Sequence, residues 1–463
     1  MSRIVPLILA FAFFMEMMDS TVISTSLPAI ALDIGVSPIT LKLALTSYLV
    51  ALGVFIPISG WMADKFGAKR IFRLAILIFV LGSIACSFSS SLAAFVISRF
   101  LQGMGGSMMT PIGRLVLVRS VPKSEFVSAM TLLTIPGLIG PMAGPPLGGF
   151  ITTYFSWHWI FIINVPIGLL GIWLSGIYLP EIPGREDMPK LDWPGFFLTG
   201  IAASGIVFGL SVVSLPALPP IVGIAATVLG LISTVIYLGH ARRIPNPILN
   251  PGLFKDPVFS LSIAGATIFR IANGAQPFLM PLMLQMGFGL NPFHSGLITF
   301  AGAFGAMSTK FVAQRVLAAR GFRDTMIIGS IAGAAMIGTA AFFTPQTPIW
   351  VMVLTLYLAG FCRSFIFTSS NSLNFTSVSE KDASQATSIS SVFQQISTAL
   401  GVAMAGLVLE TSGWMNGTKL SIFDFHVAFA VTALISVTSI FFFIPLPRDA
   451  GADVSGHVAR RSA

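Results

Sequence analysis

The chain has 463 residues, of which 55% are apolar and only 9% charged, with a mean hydropathy of +0.89. Soluble domains carry about a quarter of their residues as charges, so this composition excludes a water-soluble globular protein and predicts an integral membrane protein. Cys86 and Cys362 both lie in apolar runs and supply neither a disulfide framework nor a metal-binding spacing. His158, His240, His294, His426 and His457 are scattered singly, so no metal or other cofactor is expected.

An apolar run near 20 residues crosses the hydrocarbon core as a helix. Fourteen such runs lie near 4–30, 42–62, 72–90, 93–117, 126–153, 158–179, 195–213, 217–239, 257–285, 293–316, 325–343, 349–371, 384–409 and 425–445. The first begins after Arg3 but is too long for a signal peptide, contains acids and lacks a small-residue cleavage site, so it is expected to remain as a span. Of the 26 Lys and Arg residues, only Lys42 and Lys419 fall on one side of the membrane. Five lie inside spans, and all others fall in the termini and even-numbered connections. This asymmetry predicts both termini in the cytoplasm, and it makes the net charge of +9 an orientation signal rather than a nucleic-acid surface.

Two charged, Pro/Gly-rich stretches, EIPGREDMPKLDWPG (181–195) and ARRIPNPILNPGLFKDP (241–257), read as linkers and bracket spans seven and eight. The expected organisation is therefore all-α: an N-terminal six-helix bundle over 1–180 and a linker with two additional helices over 181–256. A C-terminal six-helix bundle over 257–447 and a tail over 448–463 complete it. Repeated halves of this kind suggest a substrate path between them.

In chain order, the first span contains FFMEMMDSTVISTSLP, residues 13–28, with Glu16 and Asp19 one helical turn apart on one face. Carboxylates at that depth cost a few kcal/mol or more, which marks them as functional candidates. After span two comes GWMADKFGAKR, where Gly60 and Gly67 permit a tight turn and Asp64 sits among Lys65, Lys69 and Arg70. Span four contains SRFLQGMGGSMMTPIGR, with Arg99, Gln102 and closely spaced glycines at 103, 105 and 106. In span five, GLIGPMAGPPLGGF places Gly140, Gly144 and Gly148 every four residues, giving one nearly bare helix face for tight contact.

These stretches resemble the major facilitator superfamily. GWMADKFGAKR is similar to its loop signature, which implies a cytoplasmic gating latch at Gly60, Asp64, Lys65, Gly67, Lys69 and Arg70; the counterpart QRVLAARGFR at 314–323 is degenerate. Arg99, Gln102 and Gly103 match the Arg-x-x-Gln-Gly pattern. Gly140, Gly144, Pro145, Gly148 and Gly149 resemble the antiporter motif, with Thr131 where a longer form has glycine; that motif goes with exporters. Asp19-Ser20-Thr21-Val22 with Leu27-Pro28, and SWHWIFIINVPIG at 156–168, are similar to signatures of the fourteen-span drug:proton antiporters, with His158 where Arg is common. The resemblance covers about residues 10–445. It implies a major facilitator fold of two six-helix bundles plus two extra central helices, working as a monomer in the cytoplasmic membrane. The implied activity is proton-coupled export of amphipathic small molecules or drugs by alternating access.

With the inserted pair set aside, Glu16 and Asp19 fall on core span one, Arg99 and Arg114 on four, Arg270 on seven and Arg363 on ten, the spans that line the cavity in the superfamily. Lys310 alone departs, and its long stem could snorkel. Asp19 and Glu16 are the expected proton-coupling pair, Asp19 being supported by the resemblance and Glu16 standing where an amide is frequent. Arg99, Gln102, Arg270 and Arg363 are the expected substrate-cavity residues. Helical rise puts Asp19 and Arg99 both about 21 Å from the cytoplasmic face, so the two could meet. The alternative is that Asp19 pairs structurally with Arg99 and never titrates. Arg270 and Arg363 stand open between anion binding and structural pairing. Five cations against two firm acids inside the spans need not favour a lipophilic cation and would admit anionic, zwitterionic or neutral molecules. Uptake symport and a non-transporting sensor are the competing classes. No nucleophile–base grouping, metal cluster or phosphate-binding loop supports an enzyme or an ATP-driven pump.

Overall fold

The structure is a computed structural model that describes residues 4–121, 126–185, 187–215, 218–374, 376, 378–379, 382–415, 417, 420–455 and 457. Lys419 and the side chain of Thr131 lie outside the described residues. All fourteen apolar runs fall on helices, and by length and composition ten helices are sufficient to cross a membrane, with one bent pair as an eleventh candidate. The chain divides into two compact units, residues 1–237 with 290–297, and residues 238–289 with 298–463.

The first unit opens with α1 (Ile4–Val22), which passes through a 3-10 turn to α2 (Leu27–Ile34); Pro28 sits in the first turn of α2, where its missing N–H costs nothing. There follow α3 (Lys42–Phe66), α4 (Ala68–Ser87), α5 (Leu92–Ser120), α6 (Phe126–Tyr154) and the broken span α7 (Trp159–Ile162) with α8 (Asn164–Tyr178). Gly67, at φ 93°, makes the turn between α3 and α4 that an L side chain would strain. The interior is aromatic and aliphatic: Phe72, Phe79, Met108 and Ile112 are buried together between α4 and α5. Glycines let those helices approach closely, since a Cβ on Gly105 would strike the backbone of Ala75 and Phe79, and one on Gly103 that of Tyr48.

The inserted pair is α9 (Trp193–Val212) and α10 (Pro220–Ala241). Asp192 caps α9 by accepting from the Gly195 N–H at 2.8 Å. Gly205 and Gly209 on α9 meet the backbone of α10, and Phe196 on α9 packs edge-on against Phe55 of α3 at 5.7 Å. Much of α10 is bare aliphatic surface, as Ile224, Val228, Leu231 and Val235 are exposed. That is the face a helix turns to hydrocarbon.

The second unit contains α11 (Pro257–Gly274), α12 (Gln276–Leu282), α13 (Pro292–Ser308), α14 (Ala313–Ala340), α15 (Ile349–Leu373) and α16 (Ala383–Met415). It closes with α17 (Ile422–Thr438), α18 (Ile440–Phe443) and α19 (Ala452–Ser455); the first residues of α13 belong to the first unit. Asp256 caps α11, and Ser421 with Asp424 forms a reciprocal capping box on α17. The expected span at 293–316 overshoots: α13 stops at Ser308, the chain bends by 88°, and α14 is interrupted again at Gly321, φ 72°. Gln314, Arg315 and Arg320 are too polar to extend a span, and the glycine supplies the break.

Candidate functional site

Arg99 and Asp19 meet. The Arg99 Nη1 donates to Asp19 Oδ2 at 2.7 Å and to Gln102 Oε1 at 2.5 Å, and both charged side chains are sealed from solvent. Asp19 Oδ1 accepts from Gln102 Nε2 and from Asn164 Nδ2, each at 2.8 Å, while Gln102 Nε2 also donates to Ser83 Oγ at 2.8 Å. The guanidinium lies 4.2 Å over the Tyr48 ring, with Phe161 on a further side at 5.8 Å. One carboxylate thus gathers groups from α5 and α8, with Ser83 of α4 one bond further out, and its arginine adds contacts to α3 and α7. Arg99 and Gln102, expected on a substrate cavity, are fully buried in this conformation and turned onto Asp19. The sequence reading did not single out Asn164, although it lies inside the quoted span-six stretch as an amide in an apolar run; Ser83 and Tyr48 gave no signal.

Glu16 stands one turn before Asp19 on α1 and is treated differently. Thr110 on α5 donates to Glu16 Oε2, and no ion-pair partner lies within reach among the described residues. Arg114, a turn along α5 from Thr110, sits over the Phe13 ring at 5.9 Å. The donor set separates the two acids chemically. Around Asp19 the Arg99, Gln102 and Asn164 N–H groups donate, and the arginine brings a full positive charge to hydrogen-bond distance. A threonine hydroxyl both donates and accepts, so it serves either protonation state of Glu16.

The helix carrying both acids is held against α6 by the glycine stripe. A Cβ on Gly137 would collide with Phe13, on Gly140 it would crowd Met17 and Met18, on Gly144 it would strike Thr21, and on Gly148 Val22 and Thr25. Thr25 Oγ1 donates to the Pro145 carbonyl at 3.3 Å, and Ser26 and Thr152 share a hydrogen bond at 2.6 Å. Gly149 lies against Pro292 and Phe293 of the 290–297 segment, within the same unit.

At the α3–α4 turn, Asp64 pairs with Arg119 at the end of α5 at 2.6 Å. The linker straps across this turn. Arg185 N–H donates to the Asp64 carbonyl at 2.7 Å, Trp61 Nε1 donates to the Pro189 carbonyl at 2.9 Å, and a Cβ on Gly184 would strike the Lys65 carbonyl. Lys69 bonds Glu181 at 2.9 Å; that hydrogen bond, then the lysine charge, holds the exposed Glu181 carboxyl below the usual carboxylate range. Lys65 takes part only through its carbonyl, Arg70 adds a weaker positive charge toward Glu181, and Gly60 has open space where a Cβ would stand.

In the second unit, Arg270 of α11 is buried. Its Nη2 donates to Asn371 Oδ1 at 3.0 Å and Ser370 Oγ at 3.3 Å, and Phe367 lies 5.0 Å from the guanidinium carbon. Arg363 is half-buried one turn along α15 from Phe367, without an ion pair among the described residues. Lys310, at the α13 break, donates to Thr368 Oγ1 at 3.0 Å. No group of three or more His, Cys, Asp or Glu residues able to hold a metal occurs among the described residues.

The sequence profile of the Major Facilitator Superfamily matches residues 9–245 and 262–462. A protein of Pectobacterium carotovorum subsp. carotovorum (strain PC1), provisionally named multidrug resistance protein MdtD, is 36% identical over 402 residues, 87% of this chain and 86% of its own length. The protein of that name from Escherichia coli (strain K12) is 35% identical over 463 residues, covering 98% of this chain and 97% of its own. The fold is shared with a D-xylose-proton symporter (TM-score 0.69, 15% identity, 97% and 98% of the two chains). It is also shared with the nucleoside transporter NupG (TM-score 0.62, 16% identity, 96% and 98%). Two helical units, charges gathered on α1, α5, α11 and α15, and a profile match over both halves lead to one assignment: the chain belongs to the Major Facilitator Superfamily, a multi-pass membrane transporter and not an enzyme.

Proposed function

We propose that the chain exports amphipathic small molecules across the cytoplasmic membrane in exchange for protons, as a monomer with both termini in the cytoplasm. Glu16 carries the proton, and Asp19 holds the Arg99 network that shapes the first unit around it. The observation supporting this reading is the contrast on one turn of α1: Asp19 is paired with the Arg99 cation and held by two amide N–H groups, whereas Glu16 faces a hydroxyl that suits both of its protonation states. Export rather than uptake is supported by the Gly140–Gly149 motif and by the multidrug resistance names of the relatives. The strapped α3–α4 turn, with Asp64 on Arg119, acts as the cytoplasmic latch.

Alternation between inward and outward access would expose Glu16 to one side and then the other. Substrate and proton then compete for one state, and a proton gradient drives the substrate out. Transport into inside-out vesicles with an imposed pH gradient tests this. Accumulation driven by an acidic interior, abolished in Glu16→Gln, is the expected result. Substrate loss driven by that same gradient would identify uptake symport instead, and unchanged coupling in Glu16→Gln would remove Glu16 from the proton path.

A further inference from the structure

The second unit holds a cation that the chain does not complete. Arg270 is 4% exposed, and its Nε and Nη1 are buried with no hydrogen-bond partner, while Nη2 alone reaches Ser370 and Asn371. Among the described residues no carboxylate lies within ion-pair distance of Arg270 or of Arg363. A guanidinium does not escape by losing its proton, as a buried lysine can. The Phe367 ring offsets only a fraction of the desolvation cost of a buried charge. Positions 363, 367, 370 and 371 form one stripe of α15, and three of them touch Arg270, so Arg363 continues that stripe about 6 Å further along the helix axis. The Nε–H and Nη1–H groups point to different sides of the guanidinium, and each is free to donate to an oxygen of a carboxylate.

We propose that Arg270 and Arg363 form the recognition site for a carboxylate on the transported molecule, so that the preferred substrates are amphipathic organic acids or zwitterions rather than lipophilic cations. The inference rests on the transport reading for the identity of the occupant. Asn371 and Ser370 hold the guanidinium through Nη2, leaving the Nε and Nη1 hydrogens for the ligand. Phe367 supplies apolar surface beside the charge.

Binding of 2-naphthoate, its methyl ester and 2-naphthyltrimethylammonium to the full chain in phosphatidylcholine nanodiscs tests the site. The acid is expected to bind about ten-fold or more tightly than the ester or the ammonium, and Arg270→Gln or Arg363→Gln each to weaken the acid about ten-fold while leaving the ester unchanged. Arg270→Lys replaces the guanidinium donors by a single ammonium group and is expected to retain part of the preference. Equal affinity for acid and ammonium, or a preference that survives both Gln variants, overturns the proposal. If Arg270→Gln does not fold, Arg363→Gln and Arg270→Lys decide. Loss of the preference when phosphatidylglycerol is added identifies a lipid phosphate as the occupant and overturns the substrate assignment. Gradient-driven flux of the ammonium with no preference for the acid sinks this site and leaves the export reading standing. Charge-selective binding without gradient-driven flux does the reverse.

Discussion

Arg99 and Arg270 are both buried guanidiniums on apolar helices, one in each unit, and among the described residues only the first has a carboxylate partner. Around Arg99 the chain supplies a carboxylate, an amide oxygen and the face of a tyrosine, so that the charge is paired although Nε has no acceptor. Around Arg270 it supplies a hydroxyl, one amide oxygen and the face of a phenylalanine, and leaves two N–H groups without acceptors. A charge satisfied from within fixes the packing of the helices that satisfy it. One left without a counter-charge ties its helices only through neutral acceptors, and its remaining donors are met only by something from outside. The contrast assigns architecture to the first arginine and recognition to the second.

The largest expected effect tests that contrast directly. Asp19→Ala strands the Arg99 charge and is expected to cost about 3–5 kcal/mol. It would be read as a fall in melting temperature in detergent, whereas Asp19→Asn combined with Arg99→Gln costs less than Asp19→Ala. Arg270→Gln removes an unpaired charge and should leave the melting temperature unchanged or raised. A loss as large as that of Asp19→Ala would erase the distinction between the arginines.

Next in size is the glycine face. Gly144→Val forces a side chain into Thr21 and should cost about 1–3 kcal/mol along with transport, because α1 can no longer seat on α6. Gly60→Ala, with nothing near its Cβ, is the neutral control. Glu16→Gln should shift stability by about 1 kcal/mol or less, since it changes a single hydrogen bond. It should nevertheless abolish the dependence of flux on the pH gradient, which sharpens the division of labour within α1.

The smallest effect belongs to the strap. Because Lys69 depresses the Glu181 pKa, this contact contributes fully above the ordinary carboxylate range and is lost as the pH falls through the lowered value. Glu181→Gln should therefore remove a weak acid-side dependence of α3–α4 turn mobility, measured by hydrogen exchange, and change little at neutral pH.

Much of this was legible in the sequence, because burying charge in hydrocarbon is costly enough to stand out. Glu16, Asp19, Arg99 and Arg270 announce themselves in apolar runs, and helical rise alone puts Asp19 level with Arg99. Neutral partners carry no such mark. Asn164 is an ordinary span residue until three-dimensional packing aims it at Asp19, as is Ser83 until packing sets it against Gln102 and Asn164. The strap is silent for another reason: its contacts from Arg185 to Asp64 and from Trp61 to Pro189 end on main-chain carbonyls, which every residue possesses. The bend after α13 was missed because the apolar pattern decays gradually toward Arg315 while the backbone turns abruptly, with a second break at Gly321.

The glycine face of α6 has a mechanical corollary. Flexible side chains between two helices act as cushions, absorbing small displacements by changing rotamer. Here four successive turns of α6 bear on α1 with no cushion of their own, so play between the rods is minimal. Any tilt of α6 must arrive at Glu16 and Asp19 almost undiminished, as in a gear train cut without backlash.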